Sequence, residues 1–400
     1  MQTDVISEPR TLVLSTPVVW FMALAAALGT ASIYPLQPAI ADVAGSMHAS
    51  VATVGIALAC GPLGYLIGLA LLVPLVDRFS PRHVLSTQFG ALAIALGANA
   101  VVGTPWLLAL VVGVIGAGSS VGAQLSSVAG RFANPLRRAT VLGIVTAGIS
   151  AGILLGRIVG GWLNEEIGWR GMFLVFASAC AIVSVAARFV LPDAAGSVNA
   201  GYLASLRKLP RLYVGVAALR LAACRGTLWF FAFCAVWAGF AVALSQPPFS
   251  YSSERIGVYA FAGLLGIVAT RVSGAWTDRV GARRVILVGL VIALAATVTL
   301  GVCLSNAAVA LACLALFDAG LFAAQVANQS TVLAIDPTAP ARFNSAYMLV
   351  YFIGGTLGTA FGAAAVGWFG WPATTAVAAC AIALAMTITV AARPKSRSLG

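Results

Sequence analysis

The chain carries little charge and few chemically reactive side chains. Only 8% of its 400 residues are charged, whereas 61% are hydrophobic and the mean hydropathy is +1.00. Its two histidines, His48 and His83, lie in predicted loops far apart in sequence, and its seven cysteines show no CxxC spacing. No glycine-rich loop ends in Lys-Ser or Lys-Thr. The sequence therefore supports no metal site, disulfide framework, hydrolytic triad or nucleotide site, and we expect neither an enzyme nor a bound cofactor.

Long apolar runs are the dominant feature of the sequence. A helix needs roughly 20 apolar residues to cross a bilayer, and polar breaks divide the chain into twelve such runs. The predicted spans are 14–40, 50–75, 84–103, 106–130, 140–163, 170–190, 221–246, 256–276, 285–304, 307–333, 344–368 and 372–391. Because a chain this apolar cannot hide its surface in a soluble core, we predict an all-α integral membrane protein.

The basic residues lie mostly on one side of the predicted membrane. The net charge is +12, and 19 of the 23 Lys and Arg residues fall in the terminal segments and the loops on that side. The opposite loops hold two, and the remaining two fall inside spans. This placement argues against nucleic acid as a partner. By the positive-inside rule it predicts that both termini are cytoplasmic.

An internal duplication sets the domain organisation. Asp77 and Asp278 are 201 positions apart, as are Gln124 and Gln325, and a row of glycines recurs at an offset of 202. We therefore predict two pseudo-symmetric bundles of six helices each. Their boundaries are 1–191 for the N-terminal bundle, 192–220 for a cytoplasmic linker, and 221–400 for the C-terminal bundle with a short cytoplasmic tail.

Two basic turns carry a family resemblance. The second reads Gly274-Ala-Trp-Thr-Asp-Arg-Val-Gly-Ala-Arg-Arg284 and follows predicted span eight; the first follows span two and keeps the Asp-Arg pair, with Val73, Ser80 and Pro81 where the second has Gly, Gly and a small residue. This pattern resembles the major facilitator superfamily, whose fold has twelve membrane helices in two halves. The resemblance implies a gating role for turn residues Asp77, Arg78, Arg82, Asp278, Arg279, Arg283 and Arg284. The arginines also determine topology, and the two roles are compatible.

Glycines in predicted spans five and eleven form a second motif. The stretch Gly156-Arg-Ile-Val-Gly-Gly161 resembles the antiporter signature of the twelve-span drug/proton branch, although Arg157 replaces the usual proline. The resemblance implies bacterial efflux of drugs or sugars in exchange for protons, in the inner membrane, by a monomer. Close packing of helices alone would also explain the glycines, because residues four apart share a helix face. The glycines expected to pack are Gly143, Gly152, Gly156, Gly160, Gly161, Gly354, Gly358 and Gly362.

Asp318 is the acidic residue that lies deepest in a predicted span. An ionisable side chain there costs roughly 2.5–3.5 kcal/mol, so it normally faces a cavity or a partner. We hypothesise that Asp318 couples transport to protons, since burial disfavours the charged carboxylate and brings proton binding towards neutral pH. The alternative is a carboxylate that is statically hydrogen-bonded within the bundle.

Arg157 is the second candidate for chemistry within the membrane. Its planar guanidinium could bind an anionic substrate group or pair with a carboxylate, and a structural pair or a side chain reaching the headgroups is the alternative. Whether it meets Asp318 depends on the bundle geometry. Six further residues are candidates for the substrate cavity: Tyr34, Gln37, Gln124, Trp237, Phe322 and Gln325. Simple packing is the alternative for the aromatic ones.

Together these features predict a secondary active transporter that works by alternating access. The expected partners are a small organic substrate, protons and the lipid bilayer, and the expected energy source is the proton gradient. Proton-coupled efflux is the leading prediction, and facilitated or proton-coupled uptake by the same fold is the alternative. A receptor or a membrane-embedded enzyme would need a large extramembrane domain or a catalytic cluster, and the sequence shows neither.

Overall fold

The computed structural model describes residues 14–134, 137–194, 211–336 and 340–392. These residues are almost entirely helical. The helices are α1 (Thr16–Ala31), α2 (Ile40–Ser46), α3 (Val51–Leu58), α4 (Cys60–Leu71), α5 (Leu75–Arg78), α6 (Pro81–Asn99), α7 (Pro105–Gly118), α8 (Val121–Phe132), α9 (Arg138–Val190), α10 (Ala217–Ser245), α11 (Ser253–Val258), α12 (Gly263–Val280), α13 (Ala282–Val302), α14 (Ala307–Leu333) and α15 (Pro340–Ala391), with a 3-10 turn at Tyr259–Ala262.

Twelve membrane crossings follow from these helices, as predicted. Among the residues that the structure describes, eight stretches are long and apolar enough to cross a membrane, and two of them have 51 and 50 residues. Since a helix rises about 1.5 Å per residue, such a stretch would be more than twice as long as the bilayer is thick. The chain turns back within each, at Gly168 (φ 73°) and Gly370 (φ 81°), where a positive φ favours glycine. The shorter α1 and α6 complete the set.

A row of glycines locks the first and fifth crossings of each half together. In the N-terminal half, Cβ atoms added to α9 would fall within 2.2–2.6 Å of backbone oxygens of α1; in the C-terminal half, α15 meets α10 at 2.1–2.3 Å. The matched contacts are Gly148 with Ala23, Gly152 with Ala27, Gly156 with Ala31, Gly354 with Thr227, Gly358 with Phe231 and Gly362 with Ala235. The halves are therefore built on the same seam, which lets two backbones approach closely.

Three of the predicted packing glycines lie outside these matched contacts. Gly160 packs against the segment that follows α1, where its Cβ would be 2.5 Å from the Pro35 Cα. An added Cβ at Gly143 would meet no atom within 4 Å, so Gly143 is not part of the seam. Its spacing explains the correction, because Gly148 lies four residues before Gly152 on the same helix face and Gly143 does not. Gly161 packs across the halves instead, where its Cβ would be 2.4 Å from the Ser253 oxygen.

Several predicted spans are interrupted. The predicted span 50–75 is split at Ala59 between α3 and α4, and its counterpart 256–276 contains the 3-10 turn Tyr259–Ala262. In the first case Pro62 lies in the opening turn of α4, where its missing N–H leaves no hydrogen bond unmade. The predicted first span 14–40 is also shorter than expected, since α1 ends at Ala31.

The two basic turns reverse the chain in different ways, which accounts for the departure of the first from the family pattern. In the second turn Gly281 has φ 86° between α12 and α13, a conformation that favours glycine. In the first, Ser80 has φ −60° and ψ 125°, and Pro81 begins α6. Any residue can adopt that extended conformation, so the first turn does not require a glycine. We call the side of the bundle that carries both turns the turn face.

The halves meet at the side opposite the turn face. There the Asn164 amide donates to Ser253 Oγ at 2.8 Å, and Ser253 Oγ donates to the Gly161 oxygen at 3.1 Å. Glu165 Oε2 lies 3.3 Å from the same hydroxyl, and the Asn164 amide also donates to Asp42 in α2 at 2.5 Å. Within the described residues, the side-chain hydrogen bonds that join the halves centre on Ser253. The bundle is therefore closed at that side.

Candidate functional site

A central cavity of about 450 Å³ lies between the two halves. Its walls reach from Gln37 and Trp237, beyond the middle of the bundle, to Gln329 and Asn344 near the turn face. One third of its lining residues are aromatic. Among the lining residues that the structure describes, Arg157 alone is charged at neutral pH. The site is thus a largely apolar chamber with one cation in its wall.

Arg157 lies in the first of the two crossings that α9 contains, where three neighbours hold it. Its Nε donates to Gln37 Oε1 at 2.8 Å, and its guanidinium carbon lies 4.2 Å from the ring centre of Trp237 and 4.9 Å from that of Tyr34. The residue is only 4% exposed. No hydrogen bond joins its two terminal nitrogens to any residue that the structure describes, so those donors remain available to the cavity.

Asp318 lies behind Trp237, away from the cavity wall. The Trp237 Nε1 donates to Asp318 Oδ1 at 3.0 Å, and Asp318 is 2% exposed. Two glycines of α12 crowd this carboxylate, since Cβ atoms added to Gly263 and Gly266 would each lie 3.3 Å from Asp318 atoms. No ion pair within 4 Å joins Asp318 to Arg157 among the described residues. The Trp237 indole lies between the two groups. Its ring face contacts the Arg157 guanidinium, and its N–H donates to the Asp318 carboxylate.

Six of the eight candidate residues line the cavity, and Asp318 and Gln124 do not. Tyr34, Gln37, Arg157, Trp237, Phe322 and Gln325 all contribute to its walls. Gln325 also accepts a hydrogen bond from the Tyr347 hydroxyl. Gln124 is the correction: it lies outside the wall and its amide donates to the Leu72 oxygen at 2.7 Å. Leu72 ends α4, where a carbonyl lacks a helical partner, and Gln124 satisfies it.

The first basic turn contacts the segment that follows the N-terminal bundle. Arg82 forms an ion pair with Asp193 at 3.0 Å, and the Ser80 hydroxyl donates to the same carboxylate at 2.7 Å. That hydrogen bond, with the charge of Arg82, lowers the pKa of Asp193. Asp77 instead accepts from the Ser127 hydroxyl at 3.0 Å. Asp193 was not predicted from the sequence, because its partners are more than 100 positions away.

The second basic turn makes fewer contacts. Arg283 donates to the oxygens of Thr389 and Val390 at 3.2 and 2.8 Å, near the end of α15. Within the part of the chain that the structure describes, no hydrogen bond or ion pair involves Asp278, Arg279 or Arg284. The same holds for Arg78 of the first turn. The turns thus present free charges on one face of the bundle. Their predicted gating role stays a prediction.

Two further polar groups are buried, and no pattern in the sequence indicates their burial. Arg225, counted with the cytoplasmic charges, is 8% exposed inside α10 and donates to Asn328 at 2.6 Å and Thr331 at 3.3 Å. Asn164 is 6% exposed beside Ser253. Arg225 lies close to the start of predicted span 221–246 and Asn164 directly follows predicted span 140–163, so only the folded arrangement separates these residues from surface groups.

Comparison with known proteins agrees with this geometry. The family model of the Major Facilitator Superfamily matches residues 19–339. The uncharacterized transporter YgaY of Escherichia coli K12 is 29% identical over 90% of this chain and 91% of its own, and the probable transporter SCO4007 of Streptomyces coelicolor is 32% identical over 93% and 86%. A solved bacterial homolog of the human lysosomal transporter Spinster, in an inward-facing and unoccupied conformation, has a TM-score of 0.72 at 17% identity over 94% and 95%. The chain is a membrane transporter of the major facilitator superfamily.

Proposed function

We propose that this transporter moves a small organic compound by proton-coupled alternating access, with Asp318 as the proton-binding group. One observation carries the proposal: a buried carboxylate hydrogen-bonded to Trp237, which forms the wall of a central cavity. Proton binding at Asp318 would change the hydrogen bond that positions the indole, and the indole is part of the substrate chamber. Proton binding and substrate binding are thereby linked although they involve different residues.

Export in exchange for protons is the direction that we propose first. With Asp318 ionised, the Trp237 N–H is held by the carboxylate and the ring lies against Arg157, which leaves the chamber open. A protonated Asp318 would hold the indole less tightly, and the freed ring would compete with substrate for the chamber. Proton and substrate would then exclude each other, as exchange requires. The closed side opposite the turn face is consistent with substrate entering from the turn face.

Cotransport of an anionic compound with a proton is a second candidate, and Arg157 favours it. Its free terminal nitrogens lie at the cavity, and an anion bound there would be repelled by an ionised Asp318. Proton and anion would then bind together. The direction in which the pH inside proteoliposomes changes as substrate enters distinguishes the two modes.

We also propose that the protein resides in a bacterial inner membrane as a monomer, with both termini in the cytoplasm. The support is the one-sided distribution of Lys and Arg together with the bacterial relatives. In this orientation the turn face is cytoplasmic. The energy source is the proton gradient, and no cofactor takes part.

Proteoliposomes with an imposed pH gradient test the proton-coupling role. Labelled arabinose, chloramphenicol and naphthalene-1-sulfonate are offered, and the compound that wild type accumulates is used for the variants. We expect Asp318→Asn to abolish accumulation driven by the gradient while retaining exchange of labelled for unlabelled substrate. Glu166→Gln, which neutralises an exposed carboxylate, serves as the matched control. Gradient-driven accumulation by Asp318→Asn at the wild-type rate would refute the role.

A further inference from the structure

We propose that the central cavity recognises a planar aromatic compound carrying a single oxyanion, with Arg157 as the residue that binds the oxyanion. This inference rests on the proposed transport function, because it names the substrate class of the same cavity. Three observations carry it: the free donors of Arg157, the pairing of aromatic rings in the wall, and the position of Asp318 away from the chamber.

The guanidinium of Arg157 is a cation without an anion in contact. It is 4% exposed, no carboxylate lies within 4 Å of it among the described residues, and its Nε is already used by Gln37. A buried charge is costly unless it is paired, and rings alone offset only part of that cost. Two terminal nitrogens in one plane match the two oxygens of a carboxylate or two of the three oxygens of a sulfonate. An oxyanion is therefore the group that completes this site.

The chamber wall also carries paired aromatic rings. Phe230 and Tyr351 stack with ring centres 4.0 Å apart and planes 10° apart, and Phe352 meets Phe230 edge-on at 5.4 Å. Tyr65 of the N-terminal half lies 4.9 Å from the ring of Phe352 of the C-terminal half. All four residues line the cavity. Aromatic partners prefer offset-stacked or edge-to-face geometry, and such surfaces extend to a bound aromatic compound.

The volume and the charge distribution narrow the class further. A cavity of about 450 Å³ is at the small end of the range for ligand sites, roughly 300–1,000 Å³, and suits a compound of one or two fused rings. An organic cation would need Asp318, which is 2% exposed behind Trp237 and does not line the cavity. It would also be repelled by Arg157. A second anionic group would find no further cation in the described wall.

Asp318 then acts on anion affinity through space and through Trp237. An ionised carboxylate behind the indole disfavours a second negative charge at Arg157, whereas a neutral side chain does not. For an anionic cargo this favours the cotransport candidate over exchange, and we therefore expect Asp318→Asn to bind the anion more tightly than wild type at neutral pH. This readout separates an electrostatic role from a purely structural one, which would weaken binding instead.

Calorimetric titration of the purified full-length protein in detergent tests the proposal with two isosteric probes. Naphthalene-1-sulfonate is anionic at every working pH, and naphthalene-1-sulfonamide is its neutral counterpart. Since a hydrogen bond to a charged group contributes about 1.5–3 kcal/mol, we expect the sulfonate to bind about 10- to 150-fold more tightly. Arg157→Gln is expected to remove this difference, and Arg157→Lys, which keeps the charge but loses the fork, to retain part of it. Arg271→Gln, at an exposed arginine of α12, is the control.

Each outcome decides the matter. Equal affinity of wild type for the two probes, or no binding of the sulfonate at millimolar concentration, overturns the proposal without any variant. A folded Arg157→Gln protein that keeps the preference for the sulfonate overturns it as well. If Arg157→Gln does not fold, the wild-type comparison and Arg157→Lys still decide. Sulfonate preference without proton-driven transport would refute the proposed coupling and leave this inference standing.

Discussion

Replacing Gly358 by alanine probes the seam that holds the first and fifth crossings of the C-terminal half together. An added Cβ at this position would lie 2.2 Å from the Phe231 oxygen and 2.9 Å from its Cα. Carbon and oxygen normally approach no closer than about 3.3 Å, so α10 and α15 would have to separate by about 1 Å at this point. Gly354 and Gly362, one turn away on either side, would lose their close contacts at the same time.

The cost of this separation can be isolated with a second glycine of the same helix. Overpacking a tight contact destabilises by about 1–3 kcal/mol, whereas glycine to alanine in a helix also gains roughly 1 kcal/mol of helix propensity. Gly367 lies in α15 with no atom within 4 Å of an added Cβ. Gly367→Ala therefore gains the propensity without the overlap. The difference in stability between the two variants, about 1–3 kcal/mol, measures the seam itself.

Thermal unfolding in detergent, followed by size-exclusion chromatography of the heated samples, measures this difference. We expect Gly358→Ala to melt several degrees below Gly367→Ala, because 1 kcal/mol corresponds to about 2–4 °C in a unit of roughly 200 residues. If both variants melted at the same temperature, the backbone contact between α10 and α15 would not limit stability. The reasoning from the seam would then be refuted.

Two further predictions concern the ends of the bundle. Ser253→Ala should raise hydrogen exchange in α11, because it removes two hydrogen bonds between the halves that contribute about 0.5–1.5 kcal/mol each. The control is Ser178→Ala, at an exposed serine that is hydrogen-bonded within its own helix. Equal exchange in the two variants would contradict the prediction. Asp193→Asn should ease proteolysis after residue 191 at pH 7 but not at a pH below the lowered pKa of Asp193. A carboxylate with a lowered pKa stabilises the folded segment at pH values above its ordinary pKa of about 3.9, and this contribution is lost as the pH falls through the lowered pKa. An equal effect of the substitution at both pH values would count against the ion pair with Arg82.

The parts of the fold that were predictable from the sequence depend on the bilayer and on helix periodicity. The apolar runs had to match the membrane thickness, so the twelve crossings followed from length and polarity. The glycine row followed from a four-residue spacing repeated in both halves, and the same spacing would have found Gly148. Six of the eight candidate cavity residues line the cavity, since helix faces follow from the 3.6-residue period.

Contacts between distant helices were not predictable, because they depend on how each helix is rotated and where it ends. Trp237 bridges Arg157 and Asp318 from positions 80 and 81 residues away, and no local pattern indicates such a bridge. Gln124 was expected to line the cavity, yet its amide donates to the Leu72 carbonyl oxygen at the end of α4, which has no helical partner. Likewise, no short-range signal identified Asn164 or Ser253 as the place where the halves join.

The stacking of Arg157 on Trp237 has a consequence for how the empty carrier behaves. In the alternating-access motion that we propose, the arginine would move with one half and the tryptophan with the other, so exposing the opposite side would pull the cation off the ring. That separation costs roughly 0.5–2 kcal/mol, which slows turnover of the unloaded protein. A bound substrate that contacts the guanidinium in place of the ring would offset this cost. Leak through an unoccupied carrier is thereby discouraged by a single contact.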